Sequence, residues 1–304
     1  MSRLLRMAWM NVLLSYRVRI AFFFTFIFPM MFFFIYFSLF AKGNPFAVEA
    51  LMGPLISFNV ISNALFGLSV QLVTMRERDM LRRYHLAPLR PVEMVGSRLL
   101  SNYLLFLPVV VLQYALAVWM YKMPVEGSLF ALWLVFTLGY LALGSIGLVV
   151  AGIVDTVQEA TVWNQILFFA LLFLTGTTLP LVSLSHLLQQ AALFMPPTLM
   201  ILGSAGIMLG GQGVLQNLHV IIGLALITAS CLGLGVALFR WEKEQKTTRR
   251  GRLQAALALI PILFVGLWLN ASPGFQRTDR MYLQHSAQAL NGRRAMPALT
   301  QPPK

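Results

Sequence analysis

Met75 to Arg98, MRERDMLRRYHLAPLRPVEMVGSR, is the most strongly charged stretch between two apolar runs, and its reading decides the fold. It holds six arginines against Glu77, Asp79 and Glu93. Short loops between membrane spans collect Lys and Arg on the cytoplasmic side, so the stretch is read as a cytoplasmic loop, and that choice sets the topology of the whole chain. Nothing from Arg76 to Tyr84 breaks a helix, and Asp79 would face Arg82 and Arg83 at helical spacing. Pro88 and Pro91 then mark a turn. A short surface helix, a proline elbow and a return into the membrane at Leu99 follow.

Composition agrees. With 58% hydrophobic residues, 11% charged residues and a mean hydropathy of +0.75 over 304 residues, this is an integral membrane chain. The +13 net charge does not point to nucleic acid, because the basic residues flank apolar runs instead of sharing a face with aromatics. The lone Cys231 lies in an apolar run, which excludes an intramolecular disulfide.

Outward from the loop, residues 1–19 read as an interfacial helix, with Leu5, Ala8, Trp9, Val12 and Tyr16 on one side and Ser2, Arg3, Arg6 and Arg17 on the other. No cleavage-site pattern of a signal peptide precedes Lys42. Ile20 to Ala41 is uncharged for 22 residues, long enough to span, and carries ten phenylalanines that suit a lipid-facing surface. Lys42 to Ala50 is an outside loop, and spans cover Leu51 to Thr74, Leu99 to Tyr121 and Leu129 to Val154. The last is rich in small residues (Gly139, Gly144, Ser145, Gly147, Gly152) that let helices approach closely. Asp155 and Glu159 follow at the cytoplasmic boundary, and Val162 to Val182 is span five.

From Pro180 to Asn217 there is no Lys, Arg, Asp or Glu, yet prolines and glycines interrupt the run repeatedly. Interrupted backbone at membrane depth is tolerated where protein buries it, so 180–217 reads as one or two short re-entrant helices on the outer side. Leu218 to Phe239 is span six. Arg240 to Arg252 holds six Lys and Arg residues and returns to the cytoplasm. Leu253 to Asn270 reads as an extra, seventh span, and residues 271–304 as a poorly ordered tail.

Glu77-Arg-Asp-Met-Leu81, followed by Pro88, Glu93 and Arg98, resembles the cytoplasmic loop of ABC-2 type transporter permeases, whose pattern has Gly-Thr where Asp79-Met80 stand here. Phe173-Leu-Thr-Gly176-Thr-Thr-Leu-Pro180, followed by Met195-Pro196-Pro-Thr198, is similar to the outer segment of the same family. The resemblance covers roughly residues 1–240. It implies an all-α membrane fold: a six-helix core over 20–240 with the coupling loop at 75–98, an N-terminal interfacial helix and outer re-entrant helices, to which the basic loop and extra span at 241–270 are appended. It further implies ATPase coupling through Glu77, Arg78, Leu81, Arg82, Leu86 and Pro88, and an outer gate at Gly176, Pro180, Pro196 and Thr198. Partners would be two copies of a cytoplasmic ATPase, which would hold the ATP and Mg, a second permease (the same chain or another), and membrane lipids. The location would be the bacterial inner membrane, with the N-terminus cytoplasmic.

Missing chemistry narrows the function. None of the five lysines follows a glycine, so no phosphate-cradling Gly-Lys-Ser/Thr loop exists in this chain. The expected spans contain no Asp, Glu, Lys or Arg, which disfavours an ion-coupled carrier. No His-Glu-x-x-His or Gly-x-Ser-x-Gly motif supports a hydrolase, and neither a catalytic residue nor a metal site is expected. A transport subunit energised by another protein remains, moving a lipid, lipid-linked molecule or hydrophobic drug. The alternative is a membrane scaffold or sensor whose loop recruits a different cytoplasmic partner.

Overall fold

The computed structural model describes residues 3–17, 22–41, 45–81, 90–178, 181, 185–242 and 259–271. Among these, every regular element is helical. Helix α1 (Arg3–Arg17) lies along α5 (Pro91–Tyr121). Its Ala8, Asn11 and Val12 are buried, while Leu5, Trp9, Met10, Leu13 and Leu14 point outward. The expected apolar side is therefore shared between protein and surroundings. Gly96 of α5 makes room for α1, since a Cβ there would sit 3.1 Å from Leu4 Cδ1.

A π-helical turn, Phe23–Ile27, runs into α2 (Phe28–Phe40). Phe33 and Phe37 are fully buried and meet the Tyr121 ring at the end of α5, with centroids 6.0 and 5.4 Å away, while Met31, Phe34, Ile35 and Leu39 form the outer face. Next comes one long rod: α3 (Pro45–Val60), a π-helical turn (Ile61–Leu65) and α4 (Phe66–Glu77). Its apolar run of 31 residues, Ala47–Glu77, is about 46 Å long, well beyond a hydrocarbon core of about 30 Å.

The rod corrects one expectation. Helix starts at Pro45, not Leu51, because proline is preorganised for a first turn. Glu49 thereby moves from the expected outside loop into the helix, where it is buried and its Oε1 has no hydrogen-bond partner among the described residues. The apolar helices are thus not free of carboxylates. Glu49 sits at a rod end, however, within electrostatic reach of Glu126 in the loop before α6, and not at mid-membrane, where coupling ions bind in carriers.

Helix α6 (Leu129–Ile153) is the hub, packed against the rod, α9 (Pro196–Met208) and α10 (Leu218–Ala237). Its glycines do what small residues allow in a bundle. A Cβ on Gly147 would lie 2.8 Å from the carbonyl oxygen of Leu65 in the π turn, one on Gly152 2.8 Å from Leu238 Cβ, and one on Gly144 2.6 Å from Leu99 Cδ1. Helix α7 (Val157–Leu174) begins before the expected Val162 and ends before the expected Val182. Its start is set by Thr156, whose hydroxyl accepts from Glu159 N at 3.1 Å, and the chain turns away beyond its end at Gly176, with φ +82°.

Two short helices, α8 (His186–Ala192) and α9, fill the interrupted segment, as its composition led us to expect. Almost every residue of α9 is buried. Gly139 leaves no room for a Cβ beside Met200, and Gly127 leaves none beside the Ile207 carbonyl. Gly139 is ten residues into α6, about 15 Å from its start, whereas Gly127 precedes that helix. Helix α9 therefore begins deep in the bundle and climbs back toward the end where α6 starts. Helix α11 (Leu259–Ala271) overlaps the expected seventh span, packs on α10 and brings Gly266 against Phe194. Among the described residues, the rod, α5, α6, α7 and α10 are the five helices long and apolar enough to cross a membrane.

Candidate coupling site

Where α6 ends and α7 begins, five charged side chains converge from three parts of the chain. Helix α4 delivers Arg76, only 4% exposed, whose guanidinium donates to the carbonyls of Ala151 at 3.0 Å and Val154 at 2.6 Å. The last carbonyls of a helix lack intrahelical partners and carry the negative end of its dipole, so a guanidinium is the natural cap. Arg240, just past α10, donates to the same Val154 carbonyl at 2.5 Å and to Asp155 Oδ1 at 2.7 Å. Opposite charge meets the start of α7. Glu77 Oε1 accepts from Val157 N at 2.8 Å, and Glu159 Oε2 accepts from Asp155 N at 2.8 Å.

The arrangement follows from chemistry at each end. Two cations sit on the C-terminus of α6 and two carboxylates on the N-terminus of α7, each in the favourable field of its helix. Asp155 and Glu159, which composition put at a boundary, are both engaged there. Neither Arg76 nor Arg240 stands out in the sequence, where each is one arginine in a basic run. Only the absence of charge in the apolar segment before each marks it as the first cation at a helix end.

The loop itself starts differently from the expected helix over Arg76 to Tyr84. Arg78 N donates to Thr74 O and Asp79 N to Arg76 O, both at 3.1 Å, and Asp79 takes φ +55°. That left-handed residue ends α4, since a short polar side chain tolerates the conformation that continuing the helix would exclude. Leu81 is buried with Met75 and Met94, beneath Met7, Phe239 and Trp241. On the far side, α5 starts at Pro91, and Arg90 N donates to Glu93 Oε2 at 2.9 Å. Helix thus extends beyond the expected membrane boundary at Leu99.

Of the six residues the resemblance assigned to coupling, Glu77 clamps the α6–α7 turn, Leu81 anchors the loop in an apolar cluster, and Arg78 is exposed beside exposed Met80. Arg82, Leu86 and Pro88 lie outside the described residues.

The residues assigned to a gate lie past the end of α7 and at the start of α9, deep in the bundle. Gly176 has φ +82°, and a Cβ on it would lie 2.6 Å from Leu181 Cγ. Thr175 and Thr177 share a hydrogen bond of 2.8 Å between hydroxyls, and the Thr198 hydroxyl donates to the Thr175 carbonyl at 3.3 Å. Pro196 occupies the first turn of α9, where its missing N–H costs nothing. Gly176, Pro196 and Thr198 are therefore brought together around the α7–α9 contact, whereas Pro180 lies outside the described residues.

Among the described residues neither region assembles a nucleophile with a base, and what the loop end offers is a mechanical linkage between α4, α6, α7 and the residue after α10. Comparison with protein families matches residues 41–240, two thirds of the chain, to a family described as ABC-2 family transporter protein. Comparisons with curated proteins and with solved structures gave no match.

Proposed function

Because the chain belongs to the ABC-2 transporter family, and so is a multi-pass membrane component of an ABC transporter, we propose that it is the permease of an ATP-driven exporter. In this reading it works beside a second permease and beneath two copies of a separate cytoplasmic ATPase that hold ATP and Mg. The observation that carries the proposal is the clamp at the loop end. A partner pressing on Arg78 and Met80 would move Arg76 and Glu77 with them, and these two grip the end of α6 and the start of α7. A displacement at the loop thereby becomes a displacement of two spans.

Side and partner follow the same logic. Arg76 and Arg240, the first cations of the two basic runs, share one end of the bundle, since they meet at Val154. Two basic segments at one end favour that end as cytoplasmic, which would put α1 there too, in a bacterial inner membrane. Val162, Ile166, Phe169 and Phe173 form an exposed stripe along α7, suited to a second permease or to lipid. Lipids, lipid-linked molecules or hydrophobic drugs are the substrates proposed.

The test is purification from native cells in mild detergent, followed by an ATPase assay. Co-purification of a nucleotide-hydrolysing subunit supports the proposal. A stable partner without ATPase activity would replace it with a scaffold.

A further inference from the structure

A cavity of about 610 Å³ opens beside the π-helical turn of the rod, within the range of pockets that hold drug-sized ligands. It lies toward the end that carries α1, because Ser15 of α1, Gln71 of α4 and Asn102 of α5 all line it. Its polar wall is made of amides and hydroxyls, chiefly Asn59, Ser62, Asn63, Gln71 and Asn102, and no Asp, Glu, Lys or Arg contributes among the described residues. Phe28, Phe66, Val70 and Leu105 supply apolar wall, and Phe28 is 38% exposed on the outer face of α2, so the cavity borders the bundle surface.

The polar groups are organised. Asn59, 1% exposed, donates its amide to Gln113 Oε1 at 3.0 Å, and Gln113 donates in turn to the Pro29 carbonyl at 2.9 Å. Both amides are thereby oriented across three helices. Asn59 Oδ1 is left buried and without a partner among the described residues. A buried acceptor of this kind costs free energy unless a donor reaches it. Four residues on, Asn63 Oδ1 accepts from the Tyr140 hydroxyl at 2.8 Å, which leaves the amide hydrogens of Asn63 to act as donors. The wall thus offers an oriented acceptor and a neighbouring donor at a π turn, a distortion frequent at functional sites.

We propose that this cavity binds the polar part of an amphiphile whose head group is uncharged and bears hydroxyls or amides, with its apolar body against Phe28, Phe66 and Leu105. Among the described residues a phosphate or ammonium would meet no counter-charge, a cost that hydroxyls do not incur. Asn59 accepts from the head group and Asn63 donates to it. This deepens the exporter reading, on which it rests for its meaning as a substrate site, but binding itself needs no ATPase.

The test uses the full chain in phosphatidylcholine nanodiscs with no ATPase present. A monoglucosyl diacylglycerol carrying a head-proximal diazirine is photolysed beside phosphatidylglycerol and ammonium-headed lipids with the same chains and diazirine. The glucosyl probe is expected to label the 59–71 peptide about fivefold more than either charged probe, and excess free glucose should not displace it. Gly67, whose nearest contact for a Cβ is Asn102 Nδ2 at 3.5 Å, allows the cavity to be filled without removing any polar side chain of its wall. Gly67→Leu and Asn59→Leu should both reduce labelling to the level of the charged probes, and Gly67→Leu should keep the wild-type melting temperature. Equal labelling by the three probes, undiminished labelling of Gly67→Leu, or displacement by free glucose would each overturn the proposal. Because no ATPase takes part, failure here leaves the coupling proposal standing, and failure to find an ATPase leaves this result standing.

Discussion

Arg76 and Arg240, 164 positions apart in the chain, donate to the same acceptor, the carbonyl of Val154, at 2.6 and 2.5 Å. Two cations on one oxygen are tolerable because that oxygen is part of the negative end of α6 and Asp155 lies beside it. Arg76 is the more buried of the two and also holds Ala151. Replacing it with alanine should destabilise the protein by about 3 kcal/mol, the scale of two hydrogen bonds from a charged donor. Arg240→Ala, with a partly exposed ion pair, should cost about 1 kcal/mol. In thermal unfolding in detergent, the double variant should lose more than the sum, because only then does Val154 lose both partners. Simple additivity would contradict a shared cap.

Asp79 adopts φ +55° at the position where the family pattern has glycine. Asp79→Gly should therefore leave the melting temperature within about 1 °C of wild type or raise it, since glycine adopts that conformation freely. Asp79→Val should lose about 1–2 kcal/mol. If the valine variant melts like wild type, the turn that ends α4 is not needed.

Gly176 and Gly211 both have positive φ, +82° and +60°, but different surroundings. A Cβ on Gly176 meets Leu181 at 2.6 Å, and one on Gly211 meets nothing within 4 Å. Gly176→Ala should lose about 2 kcal/mol and disturb the α7–α9 contact, whereas Gly211→Asn should be nearly neutral, because asparagine tolerates the left-handed region. Protease sensitivity of the 175–198 segment would report the difference.

Glu77 and Arg78 are adjacent but should separate in experiment. Glu77→Ala removes the carboxylate that accepts from Val157 N at the start of α7, so its melting temperature should fall together with ATP-stimulated transport. Arg78→Glu changes an exposed side chain and should abolish stimulation by the partner ATPase while leaving the melting temperature unchanged. Wild-type stimulation in Arg78→Glu would remove the loop from the coupling route.

Much of this architecture was legible in the chain. Runs of twenty or so uncharged residues separated by basic segments revealed the helices, since hydropathy over one span is a local property. The charge-free run broken by Pro196, Pro197 and several glycines revealed the short helices α8 and α9 for the same reason. Helix ends were read less well. Pro45, Asp79 and Thr156 set boundaries by backbone conformation and capping, and residue counts of hydrophobicity do not register those.

By itself, the sequence determined that this is an all-helical membrane protein of the ABC-2 family and roughly where its apolar helices lie, because those properties depend on composition over stretches of one span. Only the tertiary structure decided that Arg76, Asp155 and Arg240 form one cap, that Leu81 is an anchor, and that Asn59, Gln113 and Pro29 join three helices beside a polar cavity. Hydrogen-bond partners tens of residues apart are chosen by how helices pack, and the glycines of α6 set that packing through contacts no local pattern encodes.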